Sequence, residues 1–281
     1  MPAMKKPGKK NAIATKTDTV NVYKFILNCL PSPDREKNWT IQTATDAGIN
    51  APAAIPPSKD LREAWWTVGD QDGTGSCVGW GTADGVLRWH FVKANRLGQK
   101  DPLSVRDLWM SAKETDVYTA RATTFIETVG TWLTAALDIA RKYGVVANSV
   151  LPFENPAGTP ELYLGSEDAF YALAAQRRIS AYFNLGKTLS DWRAWLANHG
   201  PVLTRLDVDT TWDNATSTQG KLDVYDAAHT RGGHCVALVG YTPDRFIVRN
   251  SWGKTWGDKG FAYAADQYAA AAFTEAYGVA L

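Results

Sequence analysis

The hydrophobic pattern changes period near the middle of the chain. In the first half, apolar positions recur every three or four residues. Ala83, Val86, Leu87, Phe91 and Ala94 predict one long buried helix over 78–97, stopped by Gly98. The run beginning at Ser104 opens a second helix in capping-box fashion, reaching about residue 114. Leu133, Ala136, Leu137 and Ala140 mark a third helix over 131–143, ended by Gly144. Shorter helices follow over 167–177, capped by Ser166, and over 190–197, with a loop at 156–165 between the third and fourth helices. The second half reads differently: PVLTRLDVD, HCVALVGYT, RFIVRN and GFAYA have strand length and β-forming composition, with Gly or Pro between them. The expected architecture is α+β, a helical lobe followed by one built on antiparallel sheet.

The N-terminal part fits neither half. Residues 1–19 are polar and lysine-rich. VNVYKFILNCL, over 20–30, is a strand candidate ending at Pro31-Ser32-Pro33-Asp34, with Cys29 packed within it. From 31 to 59 the chain is proline-rich and reads as an extended tether. The expected division is an extension over 1–57, a helical lobe over 58–160 and a β-rich lobe over 161–281.

Composition narrows the partners. The chain has 281 residues, 45% of them apolar, and 30 basic against 29 acidic residues give a net charge of +1. That balance makes no case for nucleic acid or an anionic membrane as the main partner. No apolar run approaches the roughly 18 residues of a membrane span, and the basic head is not followed by the apolar core of a secretory signal. The expectation is a soluble cytoplasmic monomer. Cys29, Cys77 and Cys235 are too few for a disulfide framework and fit no zinc spacing, so no metal and no cofactor is expected.

One cysteine has suggestive surroundings. Gln71-Asp72-Gly73-Thr74-Gly75-Ser76 precede Cys77, with Ser76 a natural N-cap, so the thiol sits at a helix start, where the partial positive charge favours thiolate. Most cysteines in soluble domains are inert packing, and that reading holds for Cys77 taken alone. His234 stands in an apolar strand whose side chains alternate, so Cys235 faces the core beside Ala237 and Val239 if His234 faces a cleft. Asn250 and Trp252, two apart, share a face if the backbone there is extended.

Gln71 six residues before Cys77, Gly233-His234 in an apolar strand, and NSWGKTWGDKG from Asn250 together resemble the papain family of cysteine peptidases. LSVRDLW, GTWLTAALDIARKYGV and LPFE extend the resemblance, which runs from about residue 60 to about 264. It implies a papain-like two-lobe fold, a helical left lobe and an antiparallel β-barrel right lobe with the active-site cleft between them. It also implies roles: Cys77 as nucleophile, His234 as its ion-pair partner and acid, Asn250 as the orienter of the imidazole, and Gln71 in the oxyanion hole. Gly130 and Trp252 would face a peptide or protein substrate.

Some residues depart from that pattern. Val78 stands where an aromatic usually follows the nucleophile, and Thr74 and Thr128 lie near the places of the usual disulfide cysteines. Gly233 replaces a polar residue before the histidine, and the extension is too short and proline-rich for the family's long helical prosegment. A strand-like piece on a tether suggests that part of 20–50 lies across or near the cleft and restrains activity. The same thiol chemistry would also serve a transpeptidase or a deamidase, and a non-catalytic peptide-binding module is the reading from a different class.

Overall fold

The structure, a computed structural model, describes residues 21–50, 54–117, 130–153 and 166–281, with 114–117 described as backbone only. The expected loop at 156–165 and Thr128 both lie outside these residues.

The first half is helical. The central helix starts at α2 (Cys77–Gly79), passes through a π-helical stretch (Trp80–Leu87) and ends as α3 (Arg88–Lys93). The widened turns have a local cause. The Trp66 indole N–H donates to the Asp84 carbonyl at 2.6 Å, taking the acceptor that the Arg88 N–H would use, and Arg88 N–H bonds Ala83 O instead. The helix also ends before the expected Gly98. Asn95, at φ 56°, takes the left-handed position, and the Arg96 N–H closes onto Phe91 O at 2.8 Å. Helices α4 (Val105–Val117) and α5 (Leu133–Lys142) pack beside it, with Ser104 capping α4 through the Asp107 N–H at 3.0 Å and Gly144 at φ +93° ending α5. Helix α6 (Glu167–Ala175) starts at Ser166 as expected.

The second half is a sheet in the order β2-β8-β3-β5-β6-β7-β4, with β1 added beside β5. The strands are β1 (Lys59–Asp60), β2 (Ala181–Asn184), β3 (Val202–Asp209), β4 (Lys221–Leu222), β5 (Thr230–Tyr241), β6 (Arg245–Arg249), β7 (Phe261–Ala265) and β8 (Phe273–Ala280). Every pairing is antiparallel except β4 with β7. Among the described residues the sheet does not close into a barrel, because β2 and β4 at its two ends do not pair with each other. Helix α7 (Leu189–Asn198) appears near its expected place. Helix α8 (Asp266–Ala272), β2 and β8 went unread, since alanine and a strand glycine weaken the pattern. Gly278 is required where it stands, because a Cβ there would lie 2.1 Å from the Trp195 ring.

The central helix and β5 meet at short range. A Cβ on Gly81 would lie 2.4 Å from Cys235 Sγ, and one on Gly85 would touch Ala237 at 3.0 Å. Two glycines four apart clear one helix face, so the helix can lie directly on the strand and bring Cys77 to His234. One continuous core joins the layers, from Phe91, Leu108 and Leu137 to Leu206, Val236 and Trp192.

The N-terminal segment is the main correction. Residues 21–30 of the expected strand do not form one: Asn21 caps a 3-10 turn (Val22–Lys24), and a single parallel bridge joins Asn28 to Gly233. The bridge uses the edge of β5 away from β3, ahead of Ala237 where β6 joins that strand. The tether is also more ordered than expected, with helix α1 (Ile41–Asp46) held by a capping box between Thr40 and Thr43.

Candidate functional site

Cys77 opens the central helix and is fully buried. Ser76 does not cap it. The Ser76 hydroxyl instead bonds the Thr74 hydroxyl at 2.7 Å, while Thr74 also donates to Gln71 O at 2.5 Å. The loop ahead of the thiol is tied to the β-rich half by backbone pairing: Gln71 N–H to Ser251 O at 2.8 Å, and Gly253 N–H to Gly69 O at 2.9 Å. This pairing sets the Gln71 carboxamide, six residues ahead of Cys77, against Ser251. Its Oε1 accepts from the Ser251 hydroxyl at 2.8 Å and its Nε2 donates to Thr74 O at 3.0 Å, which leaves one Nε2 hydrogen for a further acceptor.

His234 projects from β5 opposite Leu206 and is also fully buried. Its Nε2 meets Asn250 Oδ1 at 2.8 Å, and the same oxygen accepts the Ser251 N–H at 2.8 Å. That oxygen, fixed as an acceptor, places the imidazole proton on Nε2 and leaves Nδ1 for the thiol. Nδ1 has no well-formed hydrogen bond, and its influence on Cys77 comes through side-chain contact and charge. Trp252 lies tilted over the imidazole at 5.1 Å and Trp212 meets it edge-on at 5.7 Å, sealing the His234–Asn250 pair from water.

The Cys77 thiol is held well below its usual range. The largest cause is the hydrogen bond from the Cys29 thiol. Burial opposes it, and His234 and the Cys235 backbone N–H add to the lowering. Burial and the neighbouring Cys77 sulfur push Cys29 and Cys235 the other way. Cys235 is buried in the core against Gly81, as strand alternation requires.

Residues 21–32 run over these groups as a strap. Cys29 N–H donates to Gly233 O at 3.0 Å and Leu30 N–H to Thr131 O at 2.9 Å, so the strap touches both halves. A Cβ on Gly130 would lie 1.9 Å from Asn28 O, and one on Gly233 would lie 2.1 Å from Cys29 O. Phe25 stacks on Trp252. Arg205 Nε holds Cys29 O at 3.0 Å, and Glu275 accepts the Ser32 N–H at 2.8 Å. Gly130 and Trp252, expected to face substrate, are thus both covered by the strap.

The sequence-predicted residues Cys77, His234, Asn250 and Gln71 therefore converge on one buried site. The model for the papain family of cysteine proteases matches residues 55–278. This chain belongs to the papain family.

Relatives within the papain family are distant. A cathepsin B-like cysteine proteinase 3 from Caenorhabditis elegans is 22% identical over 76% of this chain, and the match spans 62% of that protein's length. A cathepsin B-like CP3 from Giardia intestinalis is 23% identical over 78% of this chain and 72% of its own. Among solved structures, xylellain, a cysteine protease from Xylella fastidiosa, superposes with a TM-score of 0.75 at 18% identity, covering 92% of this chain and 96% of that one. A procathepsin B from Trypanosoma congolense gives 0.67 at 17% identity, over 92% and 87%. The papain family's helical-then-sheet fold is shared with both.

Sequence reading missed Asn28, Cys29 and Phe25 as neighbours of the site, and Ser251 as the link between Gln71 and Asn250. Ser251 sits inside the recognised NSWG run, so its position could have been singled out. For the strap, the sequence offered only a β-prone stretch on a tether, which pointed to the cleft without singling out these residues.

Proposed function

We propose that the chain is a cysteine peptidase hydrolysing peptide bonds through Cys77, His234 and Asn250, held latent by its own strap. The observation that carries this reading is a buried thiol kept in its thiolate-favouring state beside an imidazole whose far nitrogen is anchored at 2.8 Å by Asn250.

With the strap displaced, a substrate carbonyl approaches Cys77. The thiolate sulfur attacks the carbonyl carbon, and the developing oxyanion is met by the Cys77 N–H at the helix start and by the free Nε2 hydrogen of Gln71. His234, protonated by then on both nitrogens, gives the Nδ1 proton to the leaving amine. It then takes a proton from the water that hydrolyses the thioester. Asn250 keeps the ring oriented throughout, and Trp252 keeps water from that contact. The substrates are peptides or proteins.

Latency follows from overlap. Asn28 and Cys29 occupy the backbone space beside Gly130 and Gly233, so a substrate strand and the strap cannot bind together.

The test is labelling with an epoxysuccinyl thiol probe and turnover of a peptide library. The protein without residues 1–50 should be labelled at Cys77 and should cleave, whereas Cys77→Ala and His234→Ala should do neither. An unlabelled Cys77 in the folded, strap-free protein would sink the peptidase reading. Equal turnover with and without the strap would sink latency alone.

A further inference from the structure

All three cysteines of the chain lie around one point, each buried and each a free thiol. Cys77 belongs to the central helix, Cys235 to β5 and Cys29 to the strap. Two of the three contacts between them are unlike. Cys235 reaches Cys77 through its backbone N–H, while its sulfur is turned onto the Gly81 position. Cys29 follows Asn28, whose side chain points to the Cys77 sulfur, and its own thiol donates to Leu30 O at 3.8 Å while interacting with the Cys77 sulfur beside it. Its backbone is fixed from both sides, by Gly233 O on its N–H and Arg205 Nε on its carbonyl, and the preceding Asn28 Oδ1 stands 4.0 Å from Cys77 Sγ. The strap therefore delivers a second sulfur to the nucleophile and holds it there.

We propose that Cys29 is a resolving cysteine: in the presence of a peroxide it forms a disulfide with Cys77, turning the strap from a reversible cover into a covalent lock. The proposal rests on reading Cys77 as the thiolate nucleophile.

The chemistry runs in two steps. Cys77 is fully buried under the closed strap, so peroxide reaches it when the strap lifts. The thiolate attacks one oxygen of hydrogen peroxide, the O–O bond breaks, and the departing hydroxide takes a proton to become water, leaving Cys77 as a sulfenic acid. When the strap closes, Cys29 loses its proton and its sulfur attacks the Cys77 sulfur. The S–S bond forms, the S–O bond breaks, and hydroxide leaves as a second water. Two thiols are oxidised by two electrons and one peroxide is reduced to two waters. Cys29, held in its thiol form by burial, is inert to peroxide by itself and reacts only with an already oxidised neighbour. A thiol reductant reverses the lock, whereas a Cys77 without a resolving partner goes on to the irreversible sulfonic acid.

The experiment uses the reduced full-length protein, treated with hydrogen peroxide, blocked and digested without reductant. The native chain and Cys235→Ser should give a linked pair of peptides carrying Cys29 and Cys77, each chain lighter by two hydrogens, and dithiothreitol should restore probe labelling at Cys77. Cys29→Ser should instead gain oxygens at Cys77 and stay unlabelled after dithiothreitol. Native protein whose Cys77 ends as sulfonic acid, or linked to Cys235, overturns the proposal. Should Cys29→Ser not fold, peptide mapping of the native chain and Cys235→Ser decides by itself. Peptide turnover by the reduced, strap-free protein is read in parallel: linkage without turnover sinks the peptidase reading alone, and turnover without linkage sinks the disulfide alone.

Discussion

Phe25 lies flat on Trp252, with ring centroids 4.5 Å apart and planes only 2° from parallel. One ring belongs to the strap and the other covers the His234–Asn250 contact, so the cover is fastened to the machinery it hides. An aromatic pair of this kind contributes about 0.5–1.5 kcal/mol beyond its area burial. In Phe25→Ala the strap should therefore lift more often. The full-length variant should label with the thiol probe and turn over peptide several-fold faster than the native chain, with little change in its unfolding midpoint. A slower or unchanged labelling rate would show that the strap is not released at this end.

Gln71 and Ser251 form a two-part device, the hydroxyl holding Oε1 at 2.8 Å while Nε2 donates one hydrogen to Thr74 O at 3.0 Å. Gln71→Ala should lower kcat by about 100- to 1,000-fold, the usual loss for one oxyanion donor. Ser251→Ala should act in the same direction but less, with KM unchanged in both. A change in KM alone would mean that these residues bind substrate rather than stabilise the oxyanion.

Asp84 is the shared partner of two buried arginines. Its Oδ1 takes Arg88 at 3.0 Å and its Oδ2 takes Arg249, which also bonds the carbonyls of Trp66 and Thr67 at 2.9 and 2.8 Å. Asp84→Ala would leave both guanidinium groups without a counter-charge. The expected cost is about 3–5 kcal/mol, read from urea unfolding of the strap-containing protein. A loss under 1 kcal/mol would mean that water reaches the cluster.

Asp107 supplies a pH signature. Burial is the main cause that pushes its carboxyl up to about 7, against the lowering effect of the Val146 N–H and the Ser111 hydroxyl. The folded state thus binds this proton more tightly than the unfolded one. The group's stabilisation is fully present below its unfolded pKa of about 4 and is lost as pH rises through about 7. Unfolding free energy of the native protein should fall across that window by an amount on the order of a few kcal/mol, and Asp107→Asn should flatten the slope. An unchanged slope in Asp107→Asn would remove Asp107 as its source.

Most helices and strands β3, β5, β6 and β7 were legible because period and punctuation agreed there, as at Ser104, Ser166 and Gly144. What stayed hidden depends on contacts made at a distance. Nothing near Trp66 in the sequence says that its indole will capture a carbonyl of the central helix and widen it. Asn95, rather than Gly98, ended that helix because either residue can adopt the left-handed turn. The site was legible through motif order, since Gln71, Cys77, His234 and Asn250 each sit in a recognisable run. The strap was legible only as a β-prone stretch, and its true role depends on Gly130 and Gly233 leaving room for its carbonyls.

The Arg249–Asp84 cluster sits one residue from Asn250 and inside the helix that Cys77 opens, with Arg249 only 2% exposed. It acts as a rivet between the two walls of the cleft, driven through just behind the reacting groups. Walls riveted there have little room to swing apart, so admission of a substrate falls to the strap, which is held by separate hydrogen bonds and one ring stack. On the proposed latent reading, the strap over 21–32 is the gate, and the machinery behind it can stay still.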